Sequence, residues 1–108
     1  PVFTGALAAG RPVIVPVGDT IADGLAGNME PDSQTFDIVR DLVDRVVRVR
    51  EETIVEAMRG LFRHERLIAE GAGATAVGAL LEGGLSIEGR RVGVILSGRN
   101  DDAVKVSF

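Results

Sequence analysis

Several residue types that carry protein chemistry are scarce or absent in this chain. It contains no cysteine, tryptophan or tyrosine, and it has one histidine and one lysine among 108 residues. The absence of cysteine excludes disulfide bonds and thiolate metal sites. The single histidine, His64, excludes a metal site built from several imidazoles, and we expect it at the surface near a helix end. Lys105 is the only side-chain amine that could form a Schiff base.

Long apolar runs and an excess of positive charge are also missing. No segment approaches the roughly 18 apolar residues that cross a bilayer, and no basic leader precedes an apolar core. The net charge of −4 offers no electrostatic attraction to nucleic acid or to an anionic membrane. We therefore expect a soluble protein with neither partner, and the lack of cysteine favours the cytoplasm.

The most continuous apolar stretch, VGVIL at residues 92–96, stops at the polar turn that begins with Ser97. Such a run is typical of a strand buried on both faces, and ligands collect at the carboxyl ends of strands in α/β sheets. The Ser97 hydroxyl can donate and accept hydrogen bonds, Gly98 permits close backbone approach, and Asn100 can orient the turn. The alternative is that Ser97 merely caps the turn.

The rest of the chain alternates between helical and extended patterns. Helices are predicted over residues 1–10, after Pro31-Asp-Ser33, from Glu51 onwards, and over 70–81, where the paired glycines 83 and 84 follow. Strands are predicted at residues 13–15, 46–49 and 92–96. This order predicts an α/β fold with few strands for a free-standing sheet, and 45% apolar residues suffice for one domain or part of one.

Two of the predicted helices carry apolar residues at helical spacing, and both stripes are predicted to face the core. The first comprises Phe36, Val39 and Val43 with Ile38 and Leu42 beside them. The second comprises Ile54, Val55, Met58, Leu61 and Phe62.

A glycine-rich segment opens the last predicted helix. Residues 71–76 fit the dinucleotide fingerprint G-x-G-x-x-A, although residues 67–68 make a short preceding strand and the next strand ends at Ser97 instead of an acid. Close helix packing is the alternative. Glu70, between an apolar stretch and this segment, is either a functional carboxylate or an acid favoured by the helix dipole. Ser97 lacks the preceding glycine of a nucleophile elbow.

Five stretches taken together resemble one enzyme family. They are residues 20–24, 40–44, 51–58, 70–74 and 96–100. In order and spacing they are similar to the C-terminal part of the pyridoxal-phosphate enzymes of the threonine dehydratase and serine racemase group. The resemblance runs from Pro1 to about Asp102 and implies an α/β fold. It would be a partial, open three-layer sheet, the C-terminal portion of the large domain of a fold-type-II enzyme, with residues 1–108 as one incomplete segment.

The resemblance implies roles for particular residues. Ser97 matches the serine whose hydroxyl hydrogen-bonds the pyridine nitrogen of pyridoxal phosphate, and Gly24 matches a glycine whose backbone lies close to the cofactor. Glu70 matches an acid near the ring, while Gly98 and Asn100 would shape the turn that presents Ser97. The implied reaction is loss of water from L-threonine or L-serine, which yields a 2-oxo acid and ammonia.

The chain also departs from the family pattern. The Schiff-base lysine and the glycine-rich phosphate loop of the family lie in its N-terminal half, and Lys105 does not match that lysine. The catalytic residue is therefore expected outside this chain, which alone should be inactive and hold the cofactor poorly. Arg99 replaces a second glycine, and no acid precedes Asp19, so we expect no metal site of the kind that some relatives have.

Two further expectations follow. The N-terminal half of the same enzyme would be a partner, and unpaired strand edges at residues 46–49 and 92–96 predict self-association. The competing hypothesis is a non-catalytic α/β module that binds a small ligand or another chain; a dinucleotide-binding lobe on residues 71–76 is a third.

Overall fold

The computed structural model describes residues 2–98, and regular structure in this range is helical. The α-helices are α1 (Val2–Ala9), α2 (Gln34–Leu42), α3 (Glu51–Gly60) and α4 (Gly71–Leu81). A 3₁₀ turn spans Asp23–Leu25, and a π-helix spans Leu61–Glu65 directly after α3. The chain divides into two compact units. One contains residues up to Asp19 together with Ala26–Arg48, and the other contains Thr20–Leu25 together with the residues from Val49 onwards.

The first unit is organised around α1 and the segment around Val15 that follows it. Helix α1 buries Val2 and Ala6. Gly5 lets the helix approach that segment, because a Cβ at this position would lie 2.7 Å from Cγ1 of Val15. The side chain of Asn28 then fixes the segment by accepting from the Val15 N–H at 2.9 Å and donating to its carbonyl at 3.1 Å.

Helix α2 begins after Ser33, in agreement with the predicted start signal. Phe36 is buried, and the Arg40 guanidinium lies 5.7 Å from the centre of its ring. The prediction that the whole apolar stripe of this helix faces the core is wrong, since Leu42 is 76% exposed and Ile38 is 56% exposed. The described residues supply packing partners for Phe36 but leave these two side chains in solvent.

The second unit has its core between α3 and α4. The predicted α3 stripe is confirmed for its buried members Ile54, Met58 and Leu61. Ala74 of α4 is fully buried against this cluster, which agrees with the expectation of close packing by a helix of small residues. Helix α4 ends as its sequence indicates, with Gly83 at φ 73°. Helix α3 continues into the π-helix, which stops at Arg66 with φ 57° and was not predicted.

An ionic clamp joins the start of α3 to the end of α4. The Glu82 carboxylate accepts from the backbone N–H of Arg50 at 3.0 Å and from its Nε at 3.2 Å. The Arg50 N–H, a Thr53 hydroxyl and the Arg50 guanidinium together lower the pKa of Glu82 from its usual 4.5 to about 2. The clamp therefore ties the start of α3 to the end of α4.

The predicted strands are not confirmed. Residues 13–15, 46–49 and 92–96 have no regular secondary structure and form no strand within the described range. A strand exists only where a neighbouring backbone completes its ladder of hydrogen bonds, and residues 2–98 provide none for these segments. Their side chains are correspondingly open, with Ile14 at 88% and Ile95 at 85% exposure. The predicted sheet is therefore not confirmed by this part of the chain.

Candidate functional site

The N-terminus of α4 is the point where three backbone segments of the second unit meet. A Cβ at Gly73 would overlap the carbonyl oxygen of Ser97, so the residue that follows the 92–96 segment lies directly against the first turn of α4. A Cβ at Gly71 would likewise overlap the carbonyl of Ile21 in the Thr20–Leu25 segment. The small-residue start of α4 therefore permits two backbone approaches that any side chain would block.

Gly24 lies in the same junction. It belongs to the 3₁₀ turn, which is closed by a hydrogen bond from the Leu25 N–H to the Ala22 carbonyl at 2.8 Å. A Cβ on Gly24 would lie 3.2 Å from the Cβ of Ala72 in α4, so its backbone runs close over that helix. Gly24 is itself exposed, which leaves its outer face open to a ligand.

Glu70 and Gly98 are in direct contact. Gly98 has φ 81°, a left-handed conformation that favours glycine, and a Cβ there would collide with the Glu70 carboxylate. The Glu70 N–H donates to the Gly98 carbonyl at 3.4 Å, but the Glu70 side chain makes no capping hydrogen bond to α4. Its carboxylate is thus turned toward the Ser97 turn and away from the helix N–H groups.

Ser97, whose hydroxyl the sequence singles out, is exposed. Because its carbonyl abuts Gly73 and Gly98 is held under Glu70, the backbone on either side of this hydroxyl is fixed. The arrangement offers a neutral donor and acceptor at a rigid position. Three further residues singled out in the sequence, Arg99, Asn100 and Lys105, lie outside the described residues.

Sequence reasoning missed one contributor to the junction. Glu51 was expected only to open α3, yet its carboxylate accepts from the Thr20 hydroxyl at 2.5 Å and from the Ile21 N–H at 2.9 Å. The Thr20 hydroxyl oxygen in turn accepts from the Ala22 N–H at 3.1 Å. The two partners are 31 residues apart, but both belong to stretches that carry the family resemblance.

Other candidate sites find less support in the described part of the chain. No strand precedes Gly71 there, so the strand, glycine loop and helix order of a dinucleotide fingerprint is not present between residues 2 and 98. His64 is exposed on the π-helix. The same residues contain no group of three or more acidic or imidazole side chains arranged to hold a metal ion. No helix among them is both long and apolar enough to cross a lipid bilayer.

Comparison with known proteins identifies the family of proteins to which this chain belongs. The family of pyridoxal-phosphate dependent enzymes matches residues 1–98, and the chain belongs to that family. This confirms the family and the cofactor that the sequence resemblance implied.

The individual relatives are amino-acid lyases and racemases by name. The chain is 43% identical over 101 residues to the L-threonine ammonia-lyase of Geobacter sulfurreducens, covering 94% of this chain and 25% of that protein. It is 38% identical over 102 residues to the enzyme of the same name from Thermotoga maritima, with the same coverage. Among solved structures, maize serine racemase superposes with a TM-score of 0.83 at 33% identity, covering 96% of this chain and 32% of that one. The chain thus spans about a quarter of the length of these lyases.

The described residues fit one side of a bound pyridoxal phosphate. A hydroxyl can hydrogen-bond a pyridine nitrogen, and Ser97 is exposed while its carbonyl lies against the first turn of α4. The flat ring requires close backbone approach, which the exposed Gly24 permits. The Glu70 carboxylate borders the same turn at Gly98.

Proposed function

We propose that this chain is the C-terminal segment of a pyridoxal-phosphate dependent threonine or serine ammonia-lyase. Such an enzyme converts L-threonine or L-serine into a 2-oxo acid and ammonia. Two relatives named L-threonine ammonia-lyase, each matched over 94% of this chain, support this choice over other activities of the family. Serine racemase among the structural neighbours keeps L-serine in the proposed substrate range.

The observation that carries the proposal is the convergence of Ser97, Gly24 and Glu70 on the first turn of α4. In the proposed enzyme, Ser97 hydrogen-bonds the pyridine nitrogen, and Gly24 lets the ring approach the backbone. Gly98 and Glu70 hold the turn that presents the serine, and Asn100 is proposed to extend it. Bound pyridoxal phosphate supplies an electron sink for charge that develops at Cα of the substrate.

The chemical reason for a serine at this position is its neutrality. A hydroxyl can hydrogen-bond an unprotonated pyridine nitrogen, whereas a carboxylate would hold that nitrogen protonated and strengthen the electron sink. A milder sink suits elimination of a β-hydroxyl, because charge at Cα is relieved by loss of the leaving group. Ser97 would therefore bias the enzyme toward elimination.

The remainder of the site is proposed to come from the N-terminal half of the same enzyme, including the Schiff-base lysine and the phosphate loop. The isolated chain would then be inactive. We also propose that the enzyme is cytoplasmic and forms homo-oligomers. Exposed apolar side chains support the proposal of further pairing partners. The large apolar side chains at residues 46, 47 and 92–96 are all at least 36% exposed.

The proposal is tested on the full enzyme that contains this chain, purified with its cofactor. We expect ammonia release from L-threonine or L-serine, and a fall of roughly 10- to 100-fold in kcat on Ser97→Ala, the scale of one hydrogen bond to a charged or polarised group. Ser86→Ala is the matched control, because Ser86 is an exposed serine in the loop after α4. Its kcat should stay within about twofold of the parent.

Two results would contradict the proposal. The first is an enzyme with no ammonia release from either amino acid, and the second is a Ser97→Ala variant that behaves as Ser86→Ala does. A protein that binds no pyridoxal phosphate would favour the non-catalytic α/β module. Protection by nicotinamide nucleotides with indifference to Ser97→Ala would favour the dinucleotide-binding lobe.

A further inference from the structure

We propose that Glu51 is a positioning residue that holds the Thr20–Leu25 segment, and with it Gly24, in place at the cofactor side of the α4 N-terminus. The expected effect of Glu51 on cofactor binding rests on the proposed function. The positioning of the Thr20–Leu25 segment by the Glu51 carboxylate rests only on the observed hydrogen bonds.

Both oxygens of the Glu51 carboxylate are engaged by the same short segment. Oε1 accepts from the Thr20 hydroxyl at 2.5 Å, and Oε2 accepts from the Ile21 N–H at 2.9 Å. Hydrogen bonds to an ionised acceptor are shorter and stronger than those between neutral groups. The Thr20 hydroxyl extends the network by accepting from the Ala22 N–H at 3.1 Å, so one carboxylate determines the direction of three consecutive residues.

The segment that Glu51 holds is pressed against α4. The carbonyl of Ile21, whose N–H is bound by Glu51, lies where a Cβ of Gly71 would be. Three residues later, the backbone of Gly24 passes so close to α4 that its Cβ would be 3.2 Å from that of Ala72. Ala22 between them is buried in the α3–α4 core. A shift at Ile21 would therefore be passed on to Gly24.

A general helix-start role does not explain these contacts. Glu52 is also an exposed acid in the first turn of α3 and is equally favoured by the helix dipole, but the carboxylate that Thr20 and Ile21 bond to is that of Glu51. Glu52 is therefore the matched control for charge and helix position.

The experiment compares Glu51→Ala, Glu51→Gln and Glu52→Ala in the full cofactor-loaded enzyme. We expect Glu51→Ala to weaken pyridoxal-phosphate binding by roughly 10- to 100-fold, the range set by loss of charge-assisted hydrogen bonds. The Ile21 and Ala22 amides should exchange with solvent faster in the same variant. Glu51→Gln keeps an acceptor for the Ile21 N–H and should recover part of the affinity, while Glu52→Ala should change it by no more than about twofold.

Thr20→Val tests the same network from its other side, because it removes the hydroxyl that Glu51 binds and keeps the shape of the side chain. Its effect on cofactor affinity should be less than additive with that of Glu51→Ala, since both break one network. If Glu51→Ala fails to fold, Glu51→Gln and Thr20→Val decide the question in its place.

Equal cofactor affinity in Glu51→Ala and Glu52→Ala would overturn the inference, and so would full additivity with Thr20→Val. Failure of the proposed function is recognised separately, as absence of cofactor binding or ammonia release in the parent enzyme. In that case amide exchange decides: faster exchange at Ile21 and Ala22 in Glu51→Ala alone supports the positioning role, and unchanged exchange refutes it.

Discussion

Replacement of Gly73 by alanine tests whether the first turn of α4 sets the place of Ser97. A Cβ at Gly73 would overlap the Ser97 carbonyl oxygen and lie 3.0 Å from its carbon. Real Cβ contacts are essentially never shorter than 3.0 Å, so the Ser97 carbonyl must move by more than about 1 Å to relieve the overlap with its oxygen. That displacement occurs next to the hydroxyl proposed to bind the pyridine nitrogen, where errors of about 1 Å can cost on the order of 100-fold in rate.

Gly60→Ala is the matched control for helix propensity. Gly60 also lies in a helical backbone, and a Cβ there would meet nothing within 4 Å. Alanine in place of a helical glycine contributes about 0.5–1 kcal/mol of stability, whereas overpacking costs about 1–3 kcal/mol. Gly60→Ala should therefore stabilise the enzyme, and Gly73→Ala should be about 1–3 kcal/mol less stable than Gly60→Ala.

The assay combines denaturant unfolding with titration of pyridoxal phosphate into the full enzyme. Gly73→Ala should bind the cofactor at least about tenfold more weakly than Gly60→Ala, because its serine is displaced. A Gly73→Ala enzyme with the stability and cofactor affinity of Gly60→Ala would refute the reasoning. That result would mean that a Cβ at position 73 fits without displacing the Ser97 backbone.

Two further predictions concern the second unit. The pKa of Glu82 is lowered from 4.5 to about 2 in the folded chain, so its contribution to stability is present above pH 4.5 and is lost as the pH falls toward 2. Glu82→Gln should flatten the decline of the urea midpoint in that window, while Glu88→Gln, an exposed control, should leave it unchanged. Met58→Ala should lower the free energy of unfolding by about 2–5 kcal/mol, because Met58 is only 2% exposed. Leu81→Ala is the control in the same urea series. Because Leu81 is half exposed, this substitution should lower the free energy of unfolding by about 1 kcal/mol or less.

The helices of this chain could be predicted because each carries its signal locally. Ser33 marks the start of α2, the Ile54 and Met58 spacing identifies the buried face of α3, and the small residues from Gly71 onwards indicate close packing of α4. The predicted α2 face was wrong because periodicity shows which side of a helix is apolar but not whether a neighbour covers it. Leu42 remains exposed for that reason.

The strands and the Glu51 contact illustrate what a local pattern omits. The run at residues 92–96 has strand composition, but a strand also requires a paired backbone, which residues 2–98 do not supply. Glu51 carried the ordinary signal of a helix-start acid, and its bond to Thr20 spans 31 positions. Only the resemblance of both stretches to one family pointed to a shared role, because physical spacing alone does not connect them.

The most direct test of the central claim is the NMR signal of an isotope-labelled pyridine nitrogen in pyridoxal phosphate bound to the full enzyme. The account predicts the chemical shift of an unprotonated, hydrogen-bonded nitrogen that changes on Ser97→Ala and stays constant on Ser86→Ala. A protonated nitrogen in the parent enzyme, or a shift that is the same with and without the Ser97 hydroxyl, would contradict it.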